Sequence, residues 1–439
     1  MTELYPPQKA AVSRLLVALQ RYGCAGNWSS TGCGKTLMGL AVARELGLQP
    51  LAVAPIAASA AWEYWGKEIG IPLLGVVNPE KLRTGKTPWV SVETQGKQRL
   101  FRWNLDRNKH IVLWDEIHRG LLGFKSQTGA MAAMLRPQGI KTLLMSATPF
   151  TSPLDFRASG YLLRAHSFSA PSFWDFCRRH GCRPSHFHRG LDFDPEARSA
   201  KEHLRRINEF LQDRTVCLTV EDLKDQFGES CVEPTLIKLE ERDRAEIEAT
   251  YAEMEEEVKK KGHANPLVDM LRARQRAELL SVPAIADMVE DSVLEGNSVY
   301  VAQSFRDSVW KLQDRLRDRI DVREIRVLTG DDRQECRTES VEAFQSDRAK
   351  VLIATLGAGG LSISLHRTKP EQRPRTSILR VGYSAAEFVQ ALGRIHRAGG
   401  LGGVLQRIPL LAGTVEERVF RRLNAKLKNI ETLVDGDLL

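Results

Sequence analysis

Short apolar runs alternate with helical patterns in two separate stretches of the chain. The first stretch extends from about residue 8 to 165 and the second from about 286 to 412. The apolar runs predict strands at 51–54, 111–114, 142–145, 298–301, 324–328, 351–354 and 376–379. This alternation is typical of parallel α/β architecture, in which polar segments that follow the strands carry the chemistry. We therefore expect two α/β lobes, each built on a parallel sheet.

A charged segment separates the two stretches. Residues 240–261 are dense in Glu, Arg, Ala and Lys, and apolar residues recur among them at three- and four-residue steps. The pattern predicts a long helix with one apolar stripe, and a solvated helical linker is the favoured interpretation. The expected domains are 1–235 with an insertion around 165–235, a helical protrusion or linker at 236–285, and 286–439.

The composition agrees with a folded chain of two or three domains, because 42% of its 439 residues are hydrophobic and 27% are charged. No run approaches the about 20 apolar residues that a membrane span needs. The start, Met1-Thr2-Glu3, does not have the basic and apolar character of a signal peptide. Seven unevenly spaced cysteines favour a reducing compartment. We expect a cytoplasmic protein with no membrane partner.

The positive charge of the chain is concentrated in its first third. The net charge is +8, and residues 1–160 carry 19 Lys and Arg against 10 Asp and Glu. A localised basic surface suits a polyanionic partner such as nucleic acid. A basic protein without such a partner has the same composition, so charge alone leaves both possibilities open.

A phosphate-binding loop is predicted where a short turn leads into a helix. The segment reads Ser29-Ser30-Thr31-Gly32-Cys33-Gly34-Lys35-Thr36, a P-loop pattern with Ser29 in place of the usual first glycine. Its backbone N–H groups would surround the phosphates of a nucleotide. Lys35 would reach the β- and γ-phosphates, and the Thr36 hydroxyl would bind Mg²⁺. A glycine-rich start of a helix with an incidental lysine is the alternative, and we interpret Cys33 as the variable position of the loop.

An acidic pair follows the predicted strand at 111–114, about 80 residues after the P-loop. In the segment Asp115-Glu116-Ile117-His118, Asp115 would hold Mg²⁺ and Glu116 would orient and polarise the attacking water. A turn with a helix cap is the alternative interpretation. The P-loop upstream makes a Walker B site the stronger one.

Three further motifs follow in order: Ser146-Ala147-Thr148, the segment 355–361, and the segment 390–397 with Arg394 and Arg397. Together the five motifs resemble those of superfamily 2 helicases and translocases, which have two RecA-like lobes with ATP between them. Trp62-Glu63, Lys125-Ser126-Gln127 and the tail 413–419 are similar to Swi/Snf-type ATPases. The stretch 173–182 is similar to their annealing-helicase relatives. The segments Asp115-Glu116-Ile117-His118 and Ser146-Ala147-Thr148 differ from the Swi/Snf-type pattern and are similar to the general, DEAH-like helicase pattern.

The resemblance implies roles for several residues. Gln8 matches the glutamine that reads adenine, and its amide can both donate and accept. Arg394 and Arg397 match the arginines that act on the γ-phosphate, with Arg397 as the finger. The residues that match coupling or backbone-contact positions are Ser146, Thr148, Pro55, Thr94, Ser304, Thr355 and Gly357. ATP and Mg²⁺ are the implied cofactors.

The resemblance implies an ATP hydrolase that translocates on double-stranded or forked DNA, and the implied backbone contacts predict little sequence specificity. DNA remodelling, replication or repair in a bacterial or phage-infected cell is the expected setting, with replication or repair proteins as further partners. A strand-separating DNA or RNA helicase is one alternative. An ATP-gated nucleic-acid-binding module is the other.

A cluster of cysteines and histidines lies in the expected insertion. Cys177, His180, Cys182, His186 and His188 fall within twelve residues, and Cys217 and Cys231 lie further along the chain. Zinc sites use these residue types, but this spacing matches no standard zinc finger. We expect structural cysteines and surface histidines, and leave a zinc site open as the alternative.

Overall fold

The computed structural model describes residues 3–96, 98–185, 190–242, 245, 248–249, 266–359, 363–382 and 384–434. The chain divides into two units. The first comprises the described residues up to Leu223 together with those from Ala425 onward, and the second extends from Lys224 to Asn424. Within the described ranges, no helix has the length and apolar character required to cross a bilayer.

The first unit contains a six-stranded parallel sheet and two short antiparallel pairs. Its strands are β1 (Cys24–Asn27), β2 (Gln49–Val53), β3 (Gly75–Val77), β4 (Val90–Gln95), β5 (Gln98–Trp103), β6 (His110–Asp115), β7 (Lys141–Met145), β8 (Arg183–Pro184), β9 (Leu191–Asp192) and β10 (Thr215–Val216). The sheet order is β10-β1-β7-β6-β2-β3, and β4 with β5 and β8 with β9 form the two pairs. Every strand pairing within the six-stranded sheet is parallel.

Helices connect these strands, as parallel pairing requires. They are α1 (Pro6–Tyr22), α2 (Lys35–Glu45), α3 (Ser59–Glu68), α4 (Pro79–Arg83), α5 (Gln127–Ala133), α6 (Arg157–Leu162), α7 (Ala170–Arg179) and α8 (Ala200–Leu211). Single 3₁₀ turns occupy Ile56–Ala58 and Pro153–Phe156. The central strands are buried on both faces, as shown by Val112, Leu113 and Leu144, which have no exposed surface. Continuous apolar runs of this kind are typical of strands covered by helices on both sides.

The second unit is built on another six-stranded parallel sheet. Its strands are β11 (Ser230–Ile237), β12 (Ser298–Gln303), β13 (Ile325–Leu328), β14 (Val351–Thr355), β15 (Arg375–Leu379) and β16 (Val404–Leu411), in the order β11-β16-β15-β12-β14-β13. Its helices are α9 (Pro266–Leu294), α10 (Arg306–Arg317), α11 (Gln334–Gln345), α12 (Leu356–Gly359), α13 (Ala385–Leu392) and α14 (Val415–Val434), the last of which continues into the first unit. Two parallel sheets flanked by helices confirm the predicted fold class.

All seven predicted strands are present, with ends that differ by one or two residues. The predicted turn before the P-loop is wrong, because β1 occupies Cys24–Asn27 directly before it. Most of the predicted charged helix at 240–261 lies outside the described residues. Helix α9 begins at Pro266 and contains Pro283, so helical structure continues past residue 285, where the expected second lobe starts.

Candidate nucleotide-binding site

Three candidate motifs follow strands that lie side by side in the first sheet. The P-loop follows β1, the Ser146 segment follows β7, and Asp115 ends β6, with β7 between the other two. Asn27 and Asp115 both pair in register with Met145, so the three strands end at the same level. The carboxyl ends of parallel strands form one edge of a sheet, and α/β proteins bind ligands at this edge.

The P-loop curves tightly between β1 and α2. Gly32 and Gly34 have φ of 83° and 82°, a left-handed conformation that glycine adopts without strain. The Lys35 ammonium donates to the carbonyl oxygens of Ser29 at 2.8 Å and Ser30 at 3.1 Å. The lysine therefore lies folded over the loop at the start of a helix, where backbone N–H groups favour anions.

Ser29 has a structural function that the sequence pattern does not indicate. Its hydroxyl is fully buried and lies 2.7 Å from Asn27 Oδ1, to which it donates. The Ser29 Oγ in turn accepts the backbone N–H of Leu218 at 3.0 Å. A glycine at this position could make neither hydrogen bond, so the departure from the usual P-loop pattern anchors the first residue of the loop to the segment after β10.

Gln8 reaches the P-loop from α1. Its Nε2 donates to the carbonyl oxygen of Cys33 at 2.9 Å, and its Oε1 accepts the backbone N–H of Tyr5 at 2.9 Å. The approach is close, because a Cβ added at Gly34 would lie 2.6 Å from Gln8 Nε2. The structure thus brings this sequence-predicted residue to the P-loop, and its role in reading adenine stays a prediction.

The acidic pair is partly buried and tightly held. Asp115 Oδ1 accepts the backbone N–H of Glu116 at 3.0 Å, and its Oδ2 accepts the indole N–H of Trp62 at 3.1 Å. Glu116 has a φ of 51°, an uncommon left-handed backbone for a residue with a side chain. Trp62 is a site residue whose contact with Asp115 no sequence spacing reveals.

The electrostatics of this pair fit a divalent cation. Burial, followed by the adjacent charge of Glu116, raises the pKa of Asp115 to about 7, although Lys35 and the hydrogen bond from Trp62 act in the opposite direction. A nearby cation would favour the charged carboxylate, and Mg²⁺ prefers one or two carboxylates together with substrate phosphates. The Asp115 carboxylate and the hydroxyl of Thr36, at the start of α2, are both oxygen ligands of the type that Mg²⁺ prefers, and their role as metal ligands stays a prediction.

His118 and Ser146 connect the acidic pair to the end of β7. His118 Nδ1 lies 3.0 Å from Ser146 Oγ and 3.4 Å from Glu116 Oε2. Ser146 Oγ also accepts the backbone N–H of Thr148 at 3.1 Å. Burial lowers the pKa of His118, against the opposing charge of Glu116, so the imidazole is neutral at physiological pH. Both predicted coupling residues thus belong to one hydrogen-bonded group.

The predicted arginines lie in the second unit. Arg394 is buried and its Nη1 donates to the carbonyl oxygen of Ile363 at 3.0 Å. Arg397 donates to the same oxygen at 2.9 Å and to Ser364 Oγ at 2.9 Å. Both guanidinium groups therefore hold the segment just after the 355–361 motif. Within that motif, Thr355 ends β14 and Gly357 belongs to α12.

Three of the residues predicted to contact nucleic acid lie in a turn after β2, on the β4–β5 hairpin and directly after β12. Pro55 precedes the 3₁₀ turn Ile56–Ala58 at the end of β2, and Ile56 is 67% exposed. Thr94 lies exposed on the β4–β5 hairpin. The backbone N–H of Ser304 donates to both oxygens of Glu278, at 2.9 and 3.1 Å.

The structure describes only part of the cysteine and histidine cluster. Cys177 and Cys182 are buried in the first unit, and Cys177 Sγ lies 3.7 Å from the carbonyl oxygen of Pro153. His186 and His188 lie outside the described residues. In the part of the chain that is described, no three His, Cys, Asp or Glu side chains are grouped to share a metal ion.

Comparison with known proteins gives one relative in sequence and several in structure. No family model matches the chain. A protein of Acanthamoeba polyphaga mimivirus named "Putative ATP-dependent RNA helicase L364" is 30% identical over 466 residues, which cover 99% of this chain and 84% of the relative.

The structure of the DUF1998 helicase MrfA bound to DNA and AMPPNP matches 98% of this chain with a TM-score of 0.57 and 12% identity. The chain spans 51% of the length of MrfA. The match to the SWI2/SNF2 ATPase core of Sulfolobus solfataricus in complex with dsDNA covers 99% of this chain and 93% of the length of that core, with a TM-score of 0.40 and 13% identity. MrfA shares the fold, and the similarity to the mimivirus protein shows that the chain belongs to the family of ATP-dependent helicases.

Proposed function

We propose that this protein is an ATP-driven motor that translocates along double-stranded or forked DNA. The observation that carries the proposal is the hydrogen-bonded group formed by Glu116, His118 and Ser146 beside the P-loop. A nucleotide site joined to a neighbouring strand end can transmit the state of the nucleotide to another part of the protein. This is what a motor requires and a passive binding module does not.

The chain's own residues account for the proposed hydrolysis. The P-loop N–H groups and Lys35 would bind the phosphates, and Thr36 and Asp115 would hold the metal. Mg²⁺, when bound, neutralises charge on the phosphates. Glu116 orients the attacking water and takes up its proton, while the neutral His118 stays within 3.4 Å of that carboxylate. The carboxylate would then donate the proton to solvent before the next cycle.

Arg397 completes the proposed catalytic set as the arginine finger, with Arg394 beside it. To act on the γ-phosphate, Arg397 must exchange its hydrogen bonds to Ile363 and Ser364 for bonds to phosphate oxygens. A cation of this kind is worth about 10³ to 10⁵ in rate in related phosphoryl transfers.

The preference for DNA rests on the Swi/Snf-like segments and is consistent with DNA in the MrfA complex. Pro55, Thr355 and Gly357 are the proposed backbone contacts, and contacts to phosphates imply weak sequence specificity and strong salt dependence. Replication or repair factors are the proposed partners, in the cytoplasm of a bacterial or phage-infected cell. A strand-separating RNA or DNA helicase is the second candidate, favoured by the name of the mimivirus relative.

The first experiment is the steady-state ATPase rate without nucleic acid and with duplex DNA, forked DNA, single-stranded DNA or RNA. Glu116→Gln is the control, since it retains the size of the side chain and removes the carboxylate. Stimulation mainly by duplex or forked DNA supports the proposal. Stimulation mainly by single strands or RNA supports the second candidate, and no stimulation with intact binding overturns the motor.

The second experiment separates translocation from unwinding. A duplex translocase displaces the third strand of a triplex and leaves the underlying duplex paired, whereas a strand-separating helicase unwinds the duplex itself. Both substrates carry the same fluorescent label and are compared at the same ATP concentration. Triplex displacement without duplex unwinding is the expected result.

A further inference from the structure

The Asp115 carboxylate is fixed at both of its oxygens. Oδ1 accepts the backbone N–H of Glu116 at 3.0 Å, and Oδ2 accepts the indole N–H of Trp62 at 3.1 Å. The first bond comes from the next residue in the chain and the second from 53 residues away. Because a carboxylate can rotate about its last bond, one local hydrogen bond leaves its plane free, and a second from a rigid group fixes it.

Trp62 is a rigid donor. Its side chain is 1% exposed and projects from α3, the helix that follows the turn at Ile56–Ala58. Burial restricts the indole to one orientation, so its N–H cannot follow the carboxylate if the latter rotates. The position of α3 therefore determines the orientation of the Asp115 side chain.

The chain contains buried indoles for comparison. Trp28 and Trp114 are both 1% exposed or less, and neither Nε1 has a hydrogen-bond partner among the described residues. The fold thus tolerates an unpaired buried indole N–H elsewhere in the same unit. A further buried indole, that of Trp103, donates to the carbonyl oxygen of Met131 at 2.9 Å. The hydrogen bond of Trp62 is distinguished by its acceptor, a carboxylate oxygen of the acidic pair.

We propose that Trp62 is a positioning residue for the metal ligand Asp115. Its indole N–H holds the carboxylate, which would bind Mg²⁺, in one orientation and ties that ligand to α3 and to the turn at Ile56–Ala58 before it. The proposal depends on the proposed function only in taking Asp115 as a ligand of the metal. It makes no use of the nucleic acid, so it can be tested without one.

The test is Trp62→Phe in the full-length protein, which keeps an aromatic ring and removes the N–H. A fluorescent, non-hydrolysable ATP analogue is titrated by anisotropy, first in EDTA and then at increasing Mg²⁺. We expect the affinity in EDTA to be unchanged and the Mg²⁺ concentration for half-maximal tightening to rise about tenfold, the effect of losing one hydrogen bond to a charged group. In steady-state ATPase assays, the same shift should appear in the Mg²⁺ dependence, with the rate restored at saturating Mg²⁺.

Trp114→Phe is the matched control, because it removes similar volume from a buried indole whose N–H has no partner among the described residues. It should respond to Mg²⁺ like the wild type. An equal shift in Trp114→Phe, a loss of affinity in EDTA for Trp62→Phe, or a wild-type response of Trp62→Phe would each overturn the positioning role. If the affinity of the wild-type protein for the ATP analogue does not depend on Mg²⁺, the metal site itself is overturned. This is a different outcome, and it also counts against the proposed function.

Discussion

Ser146 Oγ and His118 Nδ1 lie 3.0 Å apart, which joins the end of β7 to the acidic motif after β6. The same Ser146 oxygen accepts the backbone N–H of Thr148 and lies 3.5 Å from Glu116 Oε2. Any change at the Glu116 carboxylate that moves His118 therefore changes the hydrogen bonding of the segment at Ser146. Ser146 is fully buried, so water cannot easily replace a lost partner.

Ser146→Ala should separate hydrolysis from movement. The substitution removes the hydroxyl shared by His118 and the Thr148 N–H, together with its long 3.5 Å contact to Glu116 Oε2, but leaves the P-loop and Asp115 in place. We expect the ATPase rate without nucleic acid to stay within about twofold and triplex displacement to fall about tenfold, a coupling effect of the usual size. Both rates are measured on the same preparation. Ser159→Ala, another fully buried serine, is the control and should behave like the wild type.

Gln8→Ala should weaken ATP binding and reduce base discrimination. The change removes the donor to the Cys33 carbonyl and the amide that is expected to read adenine. We expect about tenfold weaker ATP binding, the value of one or two lost hydrogen bonds, and a smaller loss for GTP, which shares only the lost support of the loop. Competition of ATP and GTP against a fluorescent analogue measures both. Equal losses for the two nucleotides would show that Gln8 supports the loop without reading the base.

The strands that the sequence predicts are those that contain runs of two or more large apolar or β-branched residues, or alternate them with alanine or polar residues. Ile111 to Trp114 are fully buried, and their continuous hydrophobic run is the direct consequence. By contrast, β1 is formed by Cys24-Ala25-Gly26-Asn27, which has no β-branched or aromatic residue and therefore gives no strand signal. Strand β11 contains Pro234 and is largely exposed at an edge of its sheet, so it shows no apolar pattern either.

The candidate site likewise contains some features that the sequence predicts and others that it does not. The P-loop and the acidic pair are contiguous motifs, and sequence spacing is enough to predict them. The contacts of Trp62 with Asp115 and of Ser29 with Leu218 join residues 53 and 189 positions apart. Such contacts depend on how strands and helices pack, and a single sequence carries no local pattern for them.

Cys33 should be chemically inert in the folded protein despite its place in the P-loop. Its side chain is fully buried, and burial raises its pKa to about 12, although Lys35 acts in the opposite direction. The thiolate is the reactive form, so a maleimide should not modify Cys33 at pH 7.5. Mass spectrometry after labelling should find the exposed Cys231 and Cys336 modified first. Early labelling of Cys33 with loss of ATP binding would contradict this prediction.

The ion pair between the buried Arg375 and the partly exposed Asp347 should control the acid stability of the second unit. Arg375 has no exposed side-chain surface, and its Nη1 donates to Asp347 Oδ1 at 2.6 Å. Burial alone would raise the pKa of Asp347, but the hydrogen bonds from Arg375 and from the Arg373 N–H lower it overall. A carboxylate with a lowered folded pKa stabilises the protein above its unfolded pKa of about 3.9, and this contribution is lost as the pH falls through the folded value.

Asp347→Asn should therefore destabilise the second unit at pH 7 by about 3 kcal/mol, because it leaves the Arg375 guanidinium buried without a counter-charge. Asparagine tolerates the left-handed backbone at this position, where φ is 56°. Backbone strain therefore does not contribute to the expected loss of stability. Hydrogen exchange of peptides covering β12 and β15 measures the effect locally. Exchange in the wild type should rise as the pH falls below about 4, after correction for intrinsic rates, and the variant should lack that step. Asp314→Asn breaks an exposed pair with Arg317 and should change neither quantity.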